Sequence, residues 1–203
     1  MIREAAIAEI LHPTLTLTQQ LLAVNKVVFN EQVPCVEDVI LSGDKRAEVY
    51  FPIEGERYYF VVYLDLEPRI SVRWVGTSPG NRVYFYAESE ERQVDELVAM
   101  LGLEPTRTWE KGRRNGVEVR PSLKETGDVE DKLRTIISVL LPYTANIHAL
   151  SALGDVGINI AYWGYQEQMG GIHLDTDIIQ GLAALNLSVD VDLYADGPDL
   201  EGC

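Results

Sequence analysis

A run of short aromatic and β-branched segments between residues 47 and 87 constrains the fold of this chain most strongly. The segments are AEVYF (47–51), RYYFVVYLDL (57–66), RISVRWVG (69–76) and RVYFYA (82–87), and turn sequences rich in Gly, Pro and Ser separate them. Tyr, Phe and Val favour strands, and several of the segments alternate with polar residues as half-buried strands do. The pattern predicts a β-meander.

After residue 89 the spacing of apolar residues changes from two to three or four, which indicates helices. Val94, Leu97 and Leu101 predict a helix over 90–102, with Ser89 as its N-cap and Gly102 at its C-terminal end. The same reasoning predicts strands at 155–165 and 188–195, and helices at 128–141, at 144–152 and after Asp175 or Asp177.

A weak internal repeat relates residues 82–109 to residues 158–195. Each part gives a strand, a helix and an extended segment, and a residue that tolerates left-handed geometry follows the helix between two leucines (Gly102 and Asn186). We therefore expect an α+β fold: a mainly antiparallel twisted sheet with helices packed on one face. Two β-α-β-like halves form this sheet, and the meander is an N-terminal extension.

These patterns divide the chain into four predicted segments. Residues 1–46 are predicted to be an N-terminal helical extension, in which Thr16 or Thr18 caps a helix that reaches Val28. Residues 47–81 are predicted to be the meander extending the sheet, residues 82–196 the α+β core domain, and residues 197–203 a flexible tail.

Composition limits the class of protein. The 203 residues carry 32 acids against 17 Lys and Arg, a net charge of −15, which disfavours binding to nucleic acids or anionic membranes. No apolar run is long enough to span a bilayer, and MIREAAIAEI lacks the apolar region of a signal peptide. Cys35 and Cys203 make no disulfide framework. We expect a cytoplasmic protein.

Charge is distributed unevenly along the chain. No Lys or Arg follows Arg134, whereas residues 104–124 carry six cations against three acids. Within that basic segment, LEPTRTWEKG places Trp109 between Arg107 and Lys111, which is either a contact surface or a structural corner where Trp109 covers the edge of the core. Such asymmetry is typical of a protein interaction surface.

Motifs for catalysis, phosphate binding or metal binding do not emerge from the sequence, and we expect no catalytic residue, cofactor or metal. The closest arrangement to a metal site is His173-x-Asp175-x-Asp177, but helix capping accounts for both aspartates. Asp190 and Asp192 share one face of the last strand, which we interpret as its solvent side.

The stretches VYFYAES, LGLEPTRTWEKG, VEDKLRTIISVLLP and LDTDIIQGLAALNLSVDVDLYA, in this order, resemble the bacterial domain-of-unknown-function family numbered 4279. The resemblance covers about residues 82–196. It implies the α+β fold, cytoplasmic solubility and bacterial origin. It implies no chemistry, because the function of the family is uncharacterised.

Three hypotheses for function remain open. The first is a non-catalytic module that binds a basic protein partner, such as an immunity-type protein that neutralises a toxin, through Arg107, Trp109, Lys111, Asp190 and Asp192. The second is an enzyme or small-ligand binder with a pocket near Trp163, Tyr165 and His173. The third is an accessory domain that self-associates through the edge of the meander.

Overall fold

The computed structural model describes residues 1–200. The helices are α1 (Ile2–Leu11), α2 (Thr16–Val24), α3 (Val94–Leu101), α4 (Val129–Leu140), α5 (Thr144–Ser151) and α6 (Thr176–Leu185), with a 3-10 turn at Leu141–Tyr143. The strands are β1 (Phe29–Asn30), β2 (Val33–Pro34), β3 (Asp38–Ser42), β4 (Arg46–Pro52), β5 (Tyr59–Asp65), β6 (Ser71–Ser78), β7 (Gly80–Ser89), β8 (Arg107–Lys111), β9 (Arg114–Val119), β10 (Asp155–Tyr165) and β11 (Ser188–Asp196). The predicted α+β class with a mainly antiparallel sheet arrangement is confirmed.

The chain divides into two compact units. The first unit comprises Met1–Gly80, Trp163–Gly170 and the residues from Leu193 onward, and the second comprises Asn81–Tyr162 and Gly171–Asp192. Strands β10 and β11 begin in the second unit and end in the first. The four segments predicted from the sequence use other boundaries and stay a prediction.

The first unit is built on a four-stranded antiparallel sheet in the order β3-β4-β5-β6. Alternate residues of β4 and β5 face helices α1 and α2, and they form a core with residues of both helices: Ala6, Leu21, Val49, Phe51, Phe60, Val62 and Leu64. The meander strands β4, β5 and β6 were expected to extend the sheet of residues 82–196. They instead hydrogen-bond within this separate four-stranded sheet. A tight turn joins β3 to β4, and its Gly43 has a φ of 65°.

A buried carboxylate joins helix α1 to the start of helix α2. Glu9 is only 2% exposed. It accepts hydrogen bonds from the Thr14 amide at 3.0 Å, the Thr14 hydroxyl at 2.5 Å, the Leu15 amide at 3.2 Å and the Thr18 hydroxyl at 2.6 Å. The first amides of a helix have no partner within the helix, so an acceptor supplied from elsewhere stabilises the start of α2. This role replaces the predicted capping by Thr16 or Thr18, since Leu15 occupies the N-cap position.

The second unit is built on a five-stranded sheet in the order β11-β10-β7-β9-β8. Its buried strand residues alternate along the chain, as in Val83, Phe85 and Ala87 of β7. Helices α3, α4, α5 and α6 contribute the rest of the core through Leu97, Leu101, Leu133, Ile136, Leu140, Ile147, Leu150, Ile178, Leu182 and Leu185. On β7 the alternation leaves the opposite face to Arg82, Tyr84, Tyr86 and Glu88, whereas the edge strands β8 and β11 bury no residue.

The left-handed residues predicted after two helices are confirmed. Gly102 ends α3 with a φ of 71°, and Asn186 ends α6 with a φ of 54°. The predicted N-cap of α3 is wrong, because the helix begins at Val94 and Gln93 forms a capping box with Glu96. Ser89 is instead the last residue of β7, and its hydroxyl accepts hydrogen bonds from the amides of Glu91 and Arg92.

A buried cation lies near the start of helix α4. Lys132 is 9% exposed, and its Nζ donates to the carbonyl oxygen of Asn81 at 3.0 Å and to Asn81 Oδ1 at 2.7 Å. Asn81 in turn donates from Nδ2 to the Gly127 carbonyl at 2.8 Å. Burial lowers the pKa of Lys132 to about 8. The ammonium group therefore fixes the loop before α4 to the first residue of the second unit.

Two other expectations concern the ends of the chain. The N-terminal segment contains α1, which the sequence reasoning missed, and α2 ends at Val24 rather than Val28. In the predicted tail 197–203, residues up to Leu200 are described: the Tyr165 hydroxyl donates to the Pro198 carbonyl, and Gln166 donates to Asp199. The remaining residues 201–203, which include Cys203, lie outside the described residues. Within residues 1–200, no helix combines the length and apolar character needed to cross a bilayer.

Candidate functional site

The five-stranded sheet presents one face that the helices leave open. On β7 this open face carries Tyr84, Tyr86 and Glu88, which alternate with the buried residues of the same strand. The strand order places β10 and β11 on one side of β7, and β9 and β8 on the other. Side chains from all five strands line one concavity of about 640 Å³.

Carboxylates form the β11 side of this concavity. The Tyr86 hydroxyl donates to Asp190 Oδ2 at 2.9 Å, and Asn159 Nδ2 donates to Asp192 Oδ2 at 3.0 Å. Burial, together with the hydrogen bond to Asp190, raises the pKa of Tyr86 to about 12, so the phenol stays protonated and remains a donor. Both aspartates are exposed, as predicted for the solvent side of the strand.

Cations and a tryptophan form the β8 side. Arg107, Trp109 and Lys111 point to one face because they are two residues apart on a strand. Both cations are exposed, and among residues 1–200 neither makes an ion pair. Glu118 stands opposite Arg107 in the β8–β9 register, but the two are not within ion-pair distance. The stretch forms an edge strand in which Trp109 is half-buried, and Gly112, with a φ of 65°, lies in the turn from β8 to β9. The choice between a contact surface and a structural corner stays a prediction.

Arg114 is a third cation of the concavity, and it is already paired. Its Nη1 donates to Glu88 Oε2 at 3.2 Å, with Glu90 at 3.6 Å and Asp155 at 3.9 Å completing the cluster. The hydrogen bond to Glu88 raises the pKa of Arg114 above its ordinary value. This cluster holds β9 to β7 and β10 at one end of the face.

Two glycines give the concavity its depth. Gly116 lies directly opposite Trp109, and a Cβ added there would stand 2.3 Å from the indole ring. Gly157 lies beside Tyr86, where an added Cβ would stand 3.0 Å from the phenolic oxygen. Both rings therefore lie over backbone that carries no side chain, and larger residues would displace them.

The structure brings together all five residues predicted to bind a partner. Arg107, Trp109, Lys111, Asp190 and Asp192 line the same concavity, although 79 residues of sequence separate Lys111 from Asp190. Sequence reasoning missed other members of the lining: Tyr84, Tyr86, Glu88, Arg114, Glu118, Asp155, Asn159 and Val191. The alternation of residues in VYFYAES indicates that Tyr84 and Tyr86 share one face of a strand. No sequence pattern indicates that this strand pairs with β10.

The three residues of the alternative pocket have different surroundings. Tyr165 is fully buried, and its ring stacks on Tyr58 with centroids 5.3 Å apart. Trp163 stacks on Tyr194 at 5.6 Å, and the Arg57 guanidinium lies 3.3 Å from the centre of its ring. His173 is exposed in the second unit, where its amide donates to Glu130 Oε1. A ligand pocket at these residues stays a prediction.

The aspartates near His173 have a structural role. Asp175 is the N-cap of α6 and accepts a hydrogen bond from the Ile178 amide at 2.9 Å, which confirms the capping interpretation. Arg134 donates to the other oxygen of Asp175 at 2.5 Å. These two interactions hold the pKa of Asp175 below its ordinary value. Within residues 1–200, no group of His, Cys, Asp and Glu side chains is arranged to hold a metal ion.

Comparison with known proteins places the fold in a family. The comparison with curated proteins gave no match, and neither did the comparison with solved structures. A match to a protein family covers residues 78–196, which include all five strands of the open face and helices α3 to α6. The family is DUF4279, described as a domain of unknown function, and because the match covers more than half of the chain, the protein belongs to the DUF4279 family.

Proposed function

We propose that this protein is a non-catalytic protein-binding module and that it uses the open face of its five-stranded sheet. The observation that carries the proposal is the convergence of Arg107, Trp109, Lys111, Asp190 and Asp192 on one concavity of about 640 Å³. Aromatic side chains and Arg are enriched at protein interfaces, where they supply large contact areas and directed hydrogen bonds.

The exposure of the charged groups favours binding over catalysis. Asp190 and Asp192 lie on an open sheet face in water, and neutral donors hold them. A carboxyl group that acts as a general acid or base is usually tuned by burial in an apolar site. Exposed carboxylates of this kind are better suited to attracting and positioning a partner.

The partner in this proposal is a basic protein. A net charge of −15 speeds the approach of a positively charged protein, and the chain after Arg134 carries acids without any Lys or Arg. An immunity-type protein that neutralises a basic toxin is the concrete form of this function. The family match extends over the face that would make the contact.

Co-expression tests the proposal directly. The protein is expressed with the products of its neighbouring genes, and a complex is sought by affinity purification followed by size-exclusion chromatography with light scattering. We expect one basic neighbour to co-purify and to lose its toxicity in the presence of the protein. If no neighbour co-purifies or is toxic, the proposal is wrong. The same light-scattering measurement reports any self-association.

Matched variants locate the contact. Trp109→Ala and Asp190→Ala should weaken the complex at least tenfold if the open face binds the partner, as expected for aromatic and charged residues at the centre of an interface. Glu110→Ala is the control, because Glu110 is an exposed residue of the same strand as Trp109 and points to the other face. An equal loss in the control variant would place the contact elsewhere.

A further inference from the structure

Opposite charges lie at the two sides of the open face, and the protein neutralises neither set. On β8, Arg107 and Lys111 make no ion pair among residues 1–200, although the sequence has 32 acids. On β11, the donors to Asp190 and Asp192 within residues 1–200 are one phenol and one amide. The one strongly paired cation of the concavity, Arg114, lies between these sets on β9.

The central strand of the face carries aromatic side chains. Tyr84 and Tyr86 lie on β7, and Trp109 lies on β8 between the two cations of that strand. Gly116 and Gly157 lie beside two of these rings and keep the floor of the concavity low. A polypeptide backbone can lie over aromatic rings and glycines at close range, and the phenol groups offer polar contacts to it. The middle strands also carry Glu118 and the paired charges of Glu88, Arg114 and Asp155. The two edge strands therefore present acids on β11 and cations on β8, with the tyrosines of β7 between them.

We propose that the open face binds an extended, dipolar segment of its partner that presents a basic side chain to Asp190 and Asp192 and an acidic side chain to Arg107 and Lys111. The inference rests on the proposed function and deepens it, because a partner that is only basic would leave the β8 cations facing a like charge. Charge complementarity at both ends also fixes the direction in which the segment lies.

The width of the sheet sets the spacing of the two charges. Four strand-to-strand steps of about 4.8 Å separate β8 from β11, about 19 Å in all. An extended chain advances about 3.3 Å per residue, so its acidic and basic residues are about six positions apart. An even separation is required, because only residues of the same parity point to the same face.

An extended segment suits an open sheet face. Its side chains alternate between two sides, so every second side chain can reach the tyrosines and Trp109.

Synthetic heptapeptides test the inference without a known partner. Each carries capped ends, Ser, Thr and Tyr at positions 2–6, and Lys with Glu, Lys with Lys or Glu with Glu at positions 1 and 7, with the mixed peptide made in both orders. They are titrated into ¹⁵N-labelled protein, and amide shifts are followed in β8 and β11. Weak, millimolar binding is sufficient for this measurement.

We expect one mixed peptide to shift amides of both strands and to bind about two- to fivefold more tightly than either uniform peptide, because each exposed charge pair contributes little. An equal affinity of all peptides, or no shift at millimolar concentration, overturns the inference. In the Asp190→Asn/Asp192→Asn variant the mixed peptide should lose its advantage over the Glu/Glu peptide. In Arg107→Gln/Lys111→Gln it should lose its advantage over the Lys/Lys peptide, whereas Glu110→Gln should change neither.

The outcomes separate this inference from the proposed function. If the mixed peptide is preferred but co-expression yields no partner, the protein-binding function fails and the dipolar specificity of the face stands. If a partner binds through the face but the peptides show no preference for mixed charge, only the present inference fails.

Discussion

Among residues 1–200, each of the two units buries one charged side chain, and the two charges are held differently. In the first unit, Glu9 accepts hydrogen bonds from four donor groups of Thr14, Leu15 and Thr18, and the Thr14 amide contacts both of its oxygens. In the second unit, Lys132 donates two hydrogen bonds, both to Asn81. Burial raises the pKa of Glu9, but the hydrogen bonds from Thr14 and Thr18 outweigh this effect and hold it below its ordinary value.

The number and kind of hydrogen-bond partners decide whether a buried side chain favours its charged form. The pKa of Glu9 is lowered, so the fold favours its charged form, whereas the lowered pKa of Lys132 means that the fold disfavours its charged form. The amides and hydroxyls around Glu9 are all donors aimed at a carboxylate. Lys132 has only the oxygens of one neutral residue, and these do not compensate for the lost water.

Glu9→Ala should have the largest effect. It leaves the amides at the start of α2 without an acceptor, and we expect a loss of about 2–4 kcal/mol in the free energy of unfolding. Urea denaturation monitored by circular dichroism measures it. Glu4→Ala is the control, because Glu4 is an exposed acid on the same helix and its removal should leave the free energy of unfolding almost unchanged. Similar losses of stability in both variants would contradict a stabilising role for the buried carboxylate of Glu9.

The stability of the wild-type protein should depend on pH in the alkaline range because of Lys132. With a folded pKa of about 8 against 10.5 in the unfolded chain, the unfolded state binds more protons between these values. Stability therefore rises with pH in this window, by on the order of 1–3 kcal/mol. Denaturation curves at pH 7, 8, 9 and 10 measure the free energy of unfolding of the wild type and of Lys132→Met. The rise with pH should appear in the wild type and be absent from the variant.

At pH 7, Lys132→Met should cost less than Glu9→Ala. The substitution leaves the oxygens of Asn81 without a donor, but it also removes a charge that is poorly compensated, so we expect a loss of about 1–2 kcal/mol. Lys111→Met is the matched control, because Lys111 is exposed and its replacement should leave stability almost unchanged. A loss larger than that of Glu9→Ala would contradict the comparison.

Asn81→Asp should have the smallest effect on stability and the clearest effect on pH dependence. A carboxylate 2.7 Å from Nζ raises the pKa of Lys132 towards 10.5, so the alkaline rise should disappear. The loss of the hydrogen bond to the Gly127 carbonyl offsets the new ion pair, and we expect a net change within about 1 kcal/mol at pH 7. If the free energy of unfolding still rises with pH in this variant, a group other than Lys132 causes the rise.

Sequence patterns predicted the elements of this fold well where the period was clear. Strand β10 was placed at its observed bounds, and Asp175, Gly102 and Asn186 were identified at helix ends from their residue types alone. Helix α1 was missed because its apolar and polar residues do not separate into two faces along IREAAIAEIL. Local propensity could not give the strand order, which depends on contacts far apart in sequence.

The candidate site was predicted only in part, because the strand order could not be predicted. Arg107, Trp109 and Lys111 were chosen from local composition, and Asp190 and Asp192 from alternation on a strand. That these two sets line one concavity follows only from the order β11-β10-β7-β9-β8. The cap supplied by Glu9 and the bond from Lys132 to Asn81 likewise join residues whose contact no sequence pattern indicates.

The two glycines beside Trp109 and Tyr86 mean that the relief of the open face depends on side chains that are absent. A Cβ added at Gly116 would stand 2.3 Å from the Trp109 ring, so Gly116→Ala should displace that ring and make the concavity shallower. At Gly157 an added Cβ would stand 2.9 Å from the Ser188 hydroxyl and 3.0 Å from the Tyr86 hydroxyl, so a smaller adjustment is expected. Either change would alter the shape of the face and leave the charged side chains of β8 and β11 in place.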